Sequence, residues 1–182
     1  LIAEAGPKLA LIANFGAGTD NIDVAAAHAR KILVTNTPSV FTNDTADLTL
    51  ALIIFASRKF GQSAKILADG HWKGWGPTNL LGFNLDGKSL GIIGMGRIGQ
   101  AVAIRARAFG LKIIYHNRQR LSVEVEANLE VQYEPNICQL IANVDILSLH
   151  CPAMPQGRAL LDTQRLAEMK AGAVLINTAR GS

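Results

Sequence analysis

Cysteine is scarce in this chain. Cys138 and Cys151 stand well apart and form no CxxC pair, which argues against a disulfide framework and suits a reduced, cytoplasmic compartment. Cys138 reads as a core thiol and Cys151 as a filler at a strand end, and no metal site is expected. Long apolar runs are missing too. The most hydrophobic window, LTLALIIFA from Leu48 to Ala56, falls far short of the roughly 20 residues a bilayer requires, so it reads as a buried helix and no membrane partner is expected. Repeats and low-complexity tracts are absent. So is a basic segment followed by an apolar run and a small-residue cleavage site, so nothing marks a secretory signal; opening on Leu1, the chain reads as cropped. The net charge of +4 is spread along the sequence with no RNA-binding motif or recognition helix, and nucleic acid is not an expected partner.

What is present describes a soluble globular chain. Its 182 residues are 49% hydrophobic and 18% charged, enough for a sizeable core. Short apolar runs alternate with longer helical stretches, the pattern of parallel strands joined by crossover helices. Strands are expected at KLALIA, KILVTN, SLGIIG, KIIYH, DILSLH and AVLINT, whose Val, Ile and Leu content implies burial on both faces. Helices are expected at NIDVAAAHAR, at NDTADLTLALIIFASRKF running on towards AKILADG, at GRIGQAVAIRARAF, at NICQLIANV and at DTQRLAEMK. The long second helix has Asn43 or Asp44 placed as its N-cap, and a domain boundary is expected just before it, separating residues 1–40 from 41–182. The following GHWKGWGPTNLLGFNLDGKS cannot be regular structure throughout. Its Trp72 and Trp75 suit either a partner surface or the edge of the core. RQRLSVEVEANLEVQYEPN mixes charge signs and reads as a solvated turn region followed by a short strand or helix.

Four stretches carry chemistry. SLGIIGMGRIGQAVA holds Gly94, Gly96 and Gly99 in GxGxxG spacing after an expected strand and at the start of an expected helix, the context of a Rossmann-like dinucleotide fingerprint in a doubly wound parallel sheet. Gly94 allows the tight turn, Gly96 the approach of a pyrophosphate, and Gly99 close packing of helix on strand. Arg97 and Ile98 lie inside the fingerprint and count with the cofactor-binding residues, since free N–H groups and the helix dipole there favour an anion. About 20 residues on, where an acid usually selects the adenosine ribose, stand Asn117 and Arg118. Arg118, with Arg120 as a second candidate, can donate charge-assisted hydrogen bonds to a 2′-phosphate, which favours NADP over NAD; solvated surface charges are the alternative. AVLINTARGS runs out through Thr178 and Ala179 to Arg180 at the strand edge where ligands bind in open α/β sheets. Arg180 can hold a carboxylate or polarise a carbonyl, or serve as a structural partner of an acid. In NFGAGTDNID, Ala17 and Gly18 can present backbone N–H groups to an anion.

In this order the four pieces resemble the D-isomer-specific 2-hydroxyacid dehydrogenase family, through NFGAGTDNID, VTNTPSVFTNDTADLTLAL, GKSLGIIGMGRIGQAVA, LHCP and MKAGAVLINTARG. Within it, TADLTLALI, GWGPTNLLG and YHNR are most similar to the glyoxylate and hydroxypyruvate reductases. The resemblance implies part of a flavodoxin-like substrate domain in residues 1–40 and a cofactor domain in 41–182. Arg180 would be the catalytic arginine, and the N–H groups of Ala17 and Gly18 would hold the carboxylate of a small 2-oxoacid. NADPH would be the reductant, with His150, Cys151, Pro152 and Thr178 bordering the cofactor. A homodimer is implied, with an arm over about 44–85 and Trp75 reaching the neighbouring active site. The family's catalytic histidine and its glutamate lie downstream of NTARG, beyond Ser182, and none of His28, His71, His116 and His150 takes their place. Ser39 stands where the family commonly has glycine. The rivals are an NAD-linked phosphoglycerate or D-lactate type, a cofactor-sensing binding protein on the same fold, and, against the motif order, a methyltransferase.

Overall fold

The computed structural model describes residues 2, 4–152 and 159–181, so Leu1 and Ser182 lie outside the described residues. The chain divides into two compact units, Leu1–Asn43 and Asp44–Ser182.

The first unit holds β1 (Leu11–Ala13), α1 (Val24–Ala29) and β2 (Leu33–Thr35), with the two strands parallel. Asp23 starts α1 by accepting a hydrogen bond from the Ala26 amide at 2.9 Å, satisfying one of the orphan donors of a first turn. The expected burial of strands on both faces fails here: Leu11 and Leu33 are exposed while Ile12 and Val34 are half-buried. A single crossover helix covers only one face of a two-stranded sheet. Ser39 takes φ 77°, a left-handed conformation that costs an L-residue about 1–2 kcal/mol and glycine almost nothing. That accounts for the glycine common at this place.

The second unit opens with α2 (Thr42–Ser57) and α3 (Phe60–Ala68) and continues through β3 (Ser89–Ile93), α4 (Arg97–Arg107), β4 (Lys112–His116), α5 (Val123–Leu129), β5 (Val131–Tyr133), α6 (Ile137–Asn143), β6 (Ile146–Leu149), α7 (Thr163–Ala167) and β7 (Val174–Asn177). Its five strands are all parallel in the order β5-β4-β3-β6-β7. The chain winds outward from β3 to β4 and β5, then returns to lay β6 and β7 on the other side of β3. This is a doubly wound α/β sheet whose direction reverses between β3 and β6. Alternation within β3 feeds two cores: Leu90 and Ile92 pack with Ile53, Val102, Ala106 and Tyr115, and Ile93 packs with Leu140, Ile141, Val144 and Leu147. Each fully buried aliphatic side chain contributes about 1.5–3 kcal/mol. The central strands β3 and β6 meet the expectation of burial on both faces.

Three expectations are corrected. The long helix does not run on: it breaks at Lys59, which adopts φ 54°, and the Ser57 carbonyl is taken by the Phe83 amide at 3.0 Å. A loop amide thus occupies an acceptor at the end of α2 and fixes where α3 departs. Neither Asn43 nor Asp44 is the N-cap, because α2 already begins at Thr42 and Asp44 lies in its first turn, where its charge favours the helix dipole. The stretch after Arg118 supplies both a helix and a strand, and Glu126 within it is buried.

At the amino edge of the sheet, the Asp145 carboxylate accepts from the Ser89 amide at 2.9 Å, from the Ser89 hydroxyl at 2.8 Å and from Lys170 at 3.1 Å. The Ser89 amide, foremost, holds this carboxyl down from 3.8 to about 2. A depressed carboxyl contributes stability that is complete above its unfolded value and is lost as pH falls through the folded one. Urea midpoints should therefore decline between about pH 4 and pH 2, and Asp145→Asn should lower the neutral-pH midpoint and flatten that decline. An unchanged slope in the variant would remove Asp145 from the account.

Candidate functional site

The turn after β3 is held from both sides. The Gly94 amide donates to the His116 carbonyl at the end of β4, and the His150 amide donates to the Ile93 carbonyl from the end of β6. Gly94 has φ 100°, and a Cβ there would lie 2.6–2.7 Å from the His150 carbonyl and the Cys151 amide. A Cβ at Gly99 would strike the Gly94 carbonyl oxygen, so the third glycine lets α4 sit against the turn. Around Gly96, by contrast, a Cβ would meet nothing within 4 Å. Gly96 is the N-cap of α4 and offers no side-chain cap; among the described residues no acceptor meets the amides of Gly96, Arg97 or Ile98. Bare first-turn amides beside open space at the switch point fit a pyrophosphate.

The neighbouring turn after β4 is tied to the glycine turn by Asn117, whose side-chain oxygen accepts from the Met95 amide at 2.8 Å. Arg118 follows and is exposed. Arg120 is not a free phosphate donor, contrary to its candidacy: its guanidinium grips Glu126 with Nε at 2.9 Å and an Nη at 2.7 Å, and lies 5.5 Å from the centre of the Tyr133 ring. Tyr115, fully buried, donates to Glu126 at 2.6 Å and accepts from the Leu121 amide at 2.9 Å. Arg120 and Tyr115 hold the Glu126 carboxyl down to about 2, and burial together with Glu126 pushes Tyr115 up to about 12. Sequence reasoning missed Glu126 and Tyr115, which carry no motif; their signal was an acid six residues after Arg120, one helical turn beyond the serine that caps α5.

The ends of β6 and β7 complete this edge. His150 pairs its Nε2 with the Ser148 hydroxyl at 2.8 Å, and burial pushes it down to about 4, so it is neutral at pH 7. Cys151 is half-buried, and burial raises its thiol, offset in part by the charge of Arg118. Cys151, Pro152, Leu160, Asn177 and Arg180 line a cleft of about 230 Å³. Asn177 shapes the Arg180 loop by donating to the Arg180 carbonyl at 2.6 Å and accepting from the Ala179 amide at 3.0 Å. Thr178 turns inward: its hydroxyl lies 2.9 Å from that of Thr49, which itself donates to the Thr45 carbonyl, so Thr178 serves as donor to α2. A wider depression of about 890 Å³ lies at the amino end of the sheet, among Ser89, Arg107, Lys112, Glu130 and Gln132, and contains none of the expected site residues.

In the first unit, Asn14 donates to the Gly18 carbonyl at 2.8 Å and Asn36 to the Ala17 carbonyl at 2.8 Å, while the Gly16 carbonyl accepts from the Thr37 amide. With their carbonyls fixed, the amides of Ala17 and Gly18 meet no acceptor among the described residues. The Thr37 hydroxyl is buried without a partner among them. Asn14 and Asn36 are further residues that motif reading passed over. In the second unit, Trp75 is 84% exposed, Trp72 and Leu67 are exposed, and α3 buries no residue. Among the described residues no cluster suits a metal and no helix is long and apolar enough to cross a membrane.

Residues 50–182 match the model of the D-isomer specific 2-hydroxyacid dehydrogenase NAD binding domain. The chain is 43% identical to the glyoxylate reductase of Thermococcus litoralis and 42% identical to that of Korarchaeum cryptofilum, over 100% and 99% of its own length and 55% and 54% of theirs. It superimposes on the crystal structure of a glyoxylate reductase from Paecilomyes thermophila with a TM-score of 0.87 at 40% identity, covering 99% of this chain and 53% of that one. The chain thus spans about half the length of the curated relatives it matches. With the glycine turn at the switch point, the parallel sheet and these matches in agreement, the chain belongs to the D-isomer specific 2-hydroxyacid dehydrogenase family.

Proposed function

We propose that this chain carries the cofactor site and part of the substrate site of an NADPH-preferring reductase of a small 2-oxoacid, glyoxylate or hydroxypyruvate. The observation that carries the cofactor reading is the use made of Asn117. Its side-chain oxygen already accepts from the Met95 amide, which leaves one lone pair on that oxygen and the NH₂ donor for a ribose. An aspartate would keep a second oxygen for the ribose hydroxyls; a carboxamide in this orientation keeps none. Donors suit a phosphate, and the exposed Arg118 adds positive charge beside them.

In this reading the amides of Gly96, Arg97 and Ile98 hold the pyrophosphate, and His150, Cys151, Pro152 and Thr178 border the cofactor. A bound nicotinamide supplies hydride chemistry for the keto carbon. Arg180 binds the substrate and draws charge from its carbonyl, and the free amides of Ala17 and Gly18 hold a carboxylate. His150 is not the proton donor, being half-buried, neutral and paired with Ser148. Support for the substrate class comes from the two archaeal glyoxylate reductases. A cytoplasmic setting goes with the two free cysteines. A homodimer is proposed with its arm over about 44–85, supported by the bare apolar side chains of Leu67, Trp72 and Trp75.

Fluorescence titration tests the cofactor. NADPH should bind about tenfold or more tightly than NADH, as one charge-assisted phosphate contact allows, and Arg118→Ala should erase the difference; equal affinities in the unsubstituted chain would overturn the reading. Sedimentation velocity tests the arm. A dimer is expected that Leu67→Glu converts to monomer, and a concentration-independent monomer before substitution would remove the arm from the proposal.

A further inference from the structure

The turn bearing Asn117 and Arg118 is clamped by side chains from β4, α5 and β5. Leu121 returns its amide to the hydroxyl of Tyr115, so the chain leaves β4 and is pinned back to it six residues later. Glu126 receives both the Tyr115 hydroxyl and the two-pronged grip of Arg120. Tyr133 closes the other side, its hydroxyl donating to the Asn117 carbonyl at 3.3 Å and its ring lying beneath Arg120. Two arginines stand within this turn, and the network engages one of them and leaves the other at the surface. A bidentate guanidinium–carboxylate pair fixes orientation as well as distance. The carboxylate in it is only 9% exposed, whereas its arginine is 57% exposed.

We propose that Glu126 is a positioning residue for cofactor selectivity: through Arg120 and Tyr115 it sets the turn so that Arg118, and not Arg120, meets the adenosine 2′-phosphate. The inference rests on the NADPH reading and adds to it a residue that touches no part of the cofactor. Selectivity is then a property of the turn's shape as much as of the charge on it. An arginine after Asn117 without an acid to hold the turn would gain less from a phosphate.

Calorimetric titration with 2′,5′-ADP and with 5′-AMP isolates the 2′-phosphate, and the ratio of the two affinities is the readout. Glu126→Gln and Arg120→Ala should each reduce that ratio by about tenfold, and the double variant should lose no more than either single one, as expected for two groups acting as one unit. Arg120→Ala changes an exposed side chain and keeps the Tyr115–Glu126 bond available, so it retains the fold should Glu126→Gln lose it. Equal weakening of both probes with an unchanged ratio would reduce the network to a merely structural role and overturn the proposal. A ratio that falls in Arg120→Ala but rises or holds in Glu126→Gln would overturn it in favour of direct phosphate contact by Arg120. A ratio near one in the unsubstituted chain, or one indifferent to Arg118→Ala, would instead strike the NADPH reading itself, and the proposal with it.

Discussion

The turn after β3 has no room for side chains where it meets the end of β6, and the rest of the site follows from that. With Gly94 against the His150 carbonyl and Gly99 against Gly94, α4 starts directly against the turn. Its unpaired amides then face the space around Gly96. The same compression aligns the ends of β4 and β6 with the turn, through the hydrogen bonds of Gly94 to His116 and of His150 to Ile93. Asn117 and Cys151, each the next residue along, are thereby delivered to one edge. A parallel sheet that reverses direction between β3 and β6 leaves its crevice at this point, because the two crossovers depart in opposite directions.

Polar groups at this edge divide into those spent on architecture and those left for a ligand. The oxygen of Asn117, the hydroxyl of Thr178, the imidazole of His150 and the guanidinium of Arg120 all have partners in the fold. The exposed guanidinium of Arg118 and the first-turn amides of α4 are presented outward, and both favour anions. A buried carboxylate such as Glu126 is tolerable because three donors surround it, and removing any of them would leave part of a charge uncompensated. In this way an acid in the interior shapes a basic surface.

Much of this was legible in the sequence where a local pattern has a physical cause. KIIYH is a strand from Lys112 to His116 because its β-branched and aromatic residues pack a two-sided sheet, and Gly94 and Gly99 declared the turn because a Cβ fits at neither. The break at Lys59 was not legible, since its cause is a distant amide, that of Phe83, binding the Ser57 carbonyl. The engagement of Arg120 and the inward bond of Thr178 went unread for a similar reason. Composition and position show that a side chain can bind a ligand, but not that Glu126 or Thr49 already occupies it. Short-range spacing gave no weight to Asn14 and Asn36, whose role is to hold carbonyls so that the amides of Ala17 and Gly18 stay free.

The central claim, that the bare amide end of α4 at the β3–β6 crevice receives the dinucleotide, is tested most directly by amide NMR of the ¹⁵N-labelled chain during titration with NADPH. The account predicts that the largest shifts fall on Gly96, Arg97 and Ile98, with Asn117 and Arg118 following. Shifts concentrated at the opposite edge, among Arg107, Lys112 and Gln132, with the α4 amides unmoved, would contradict it.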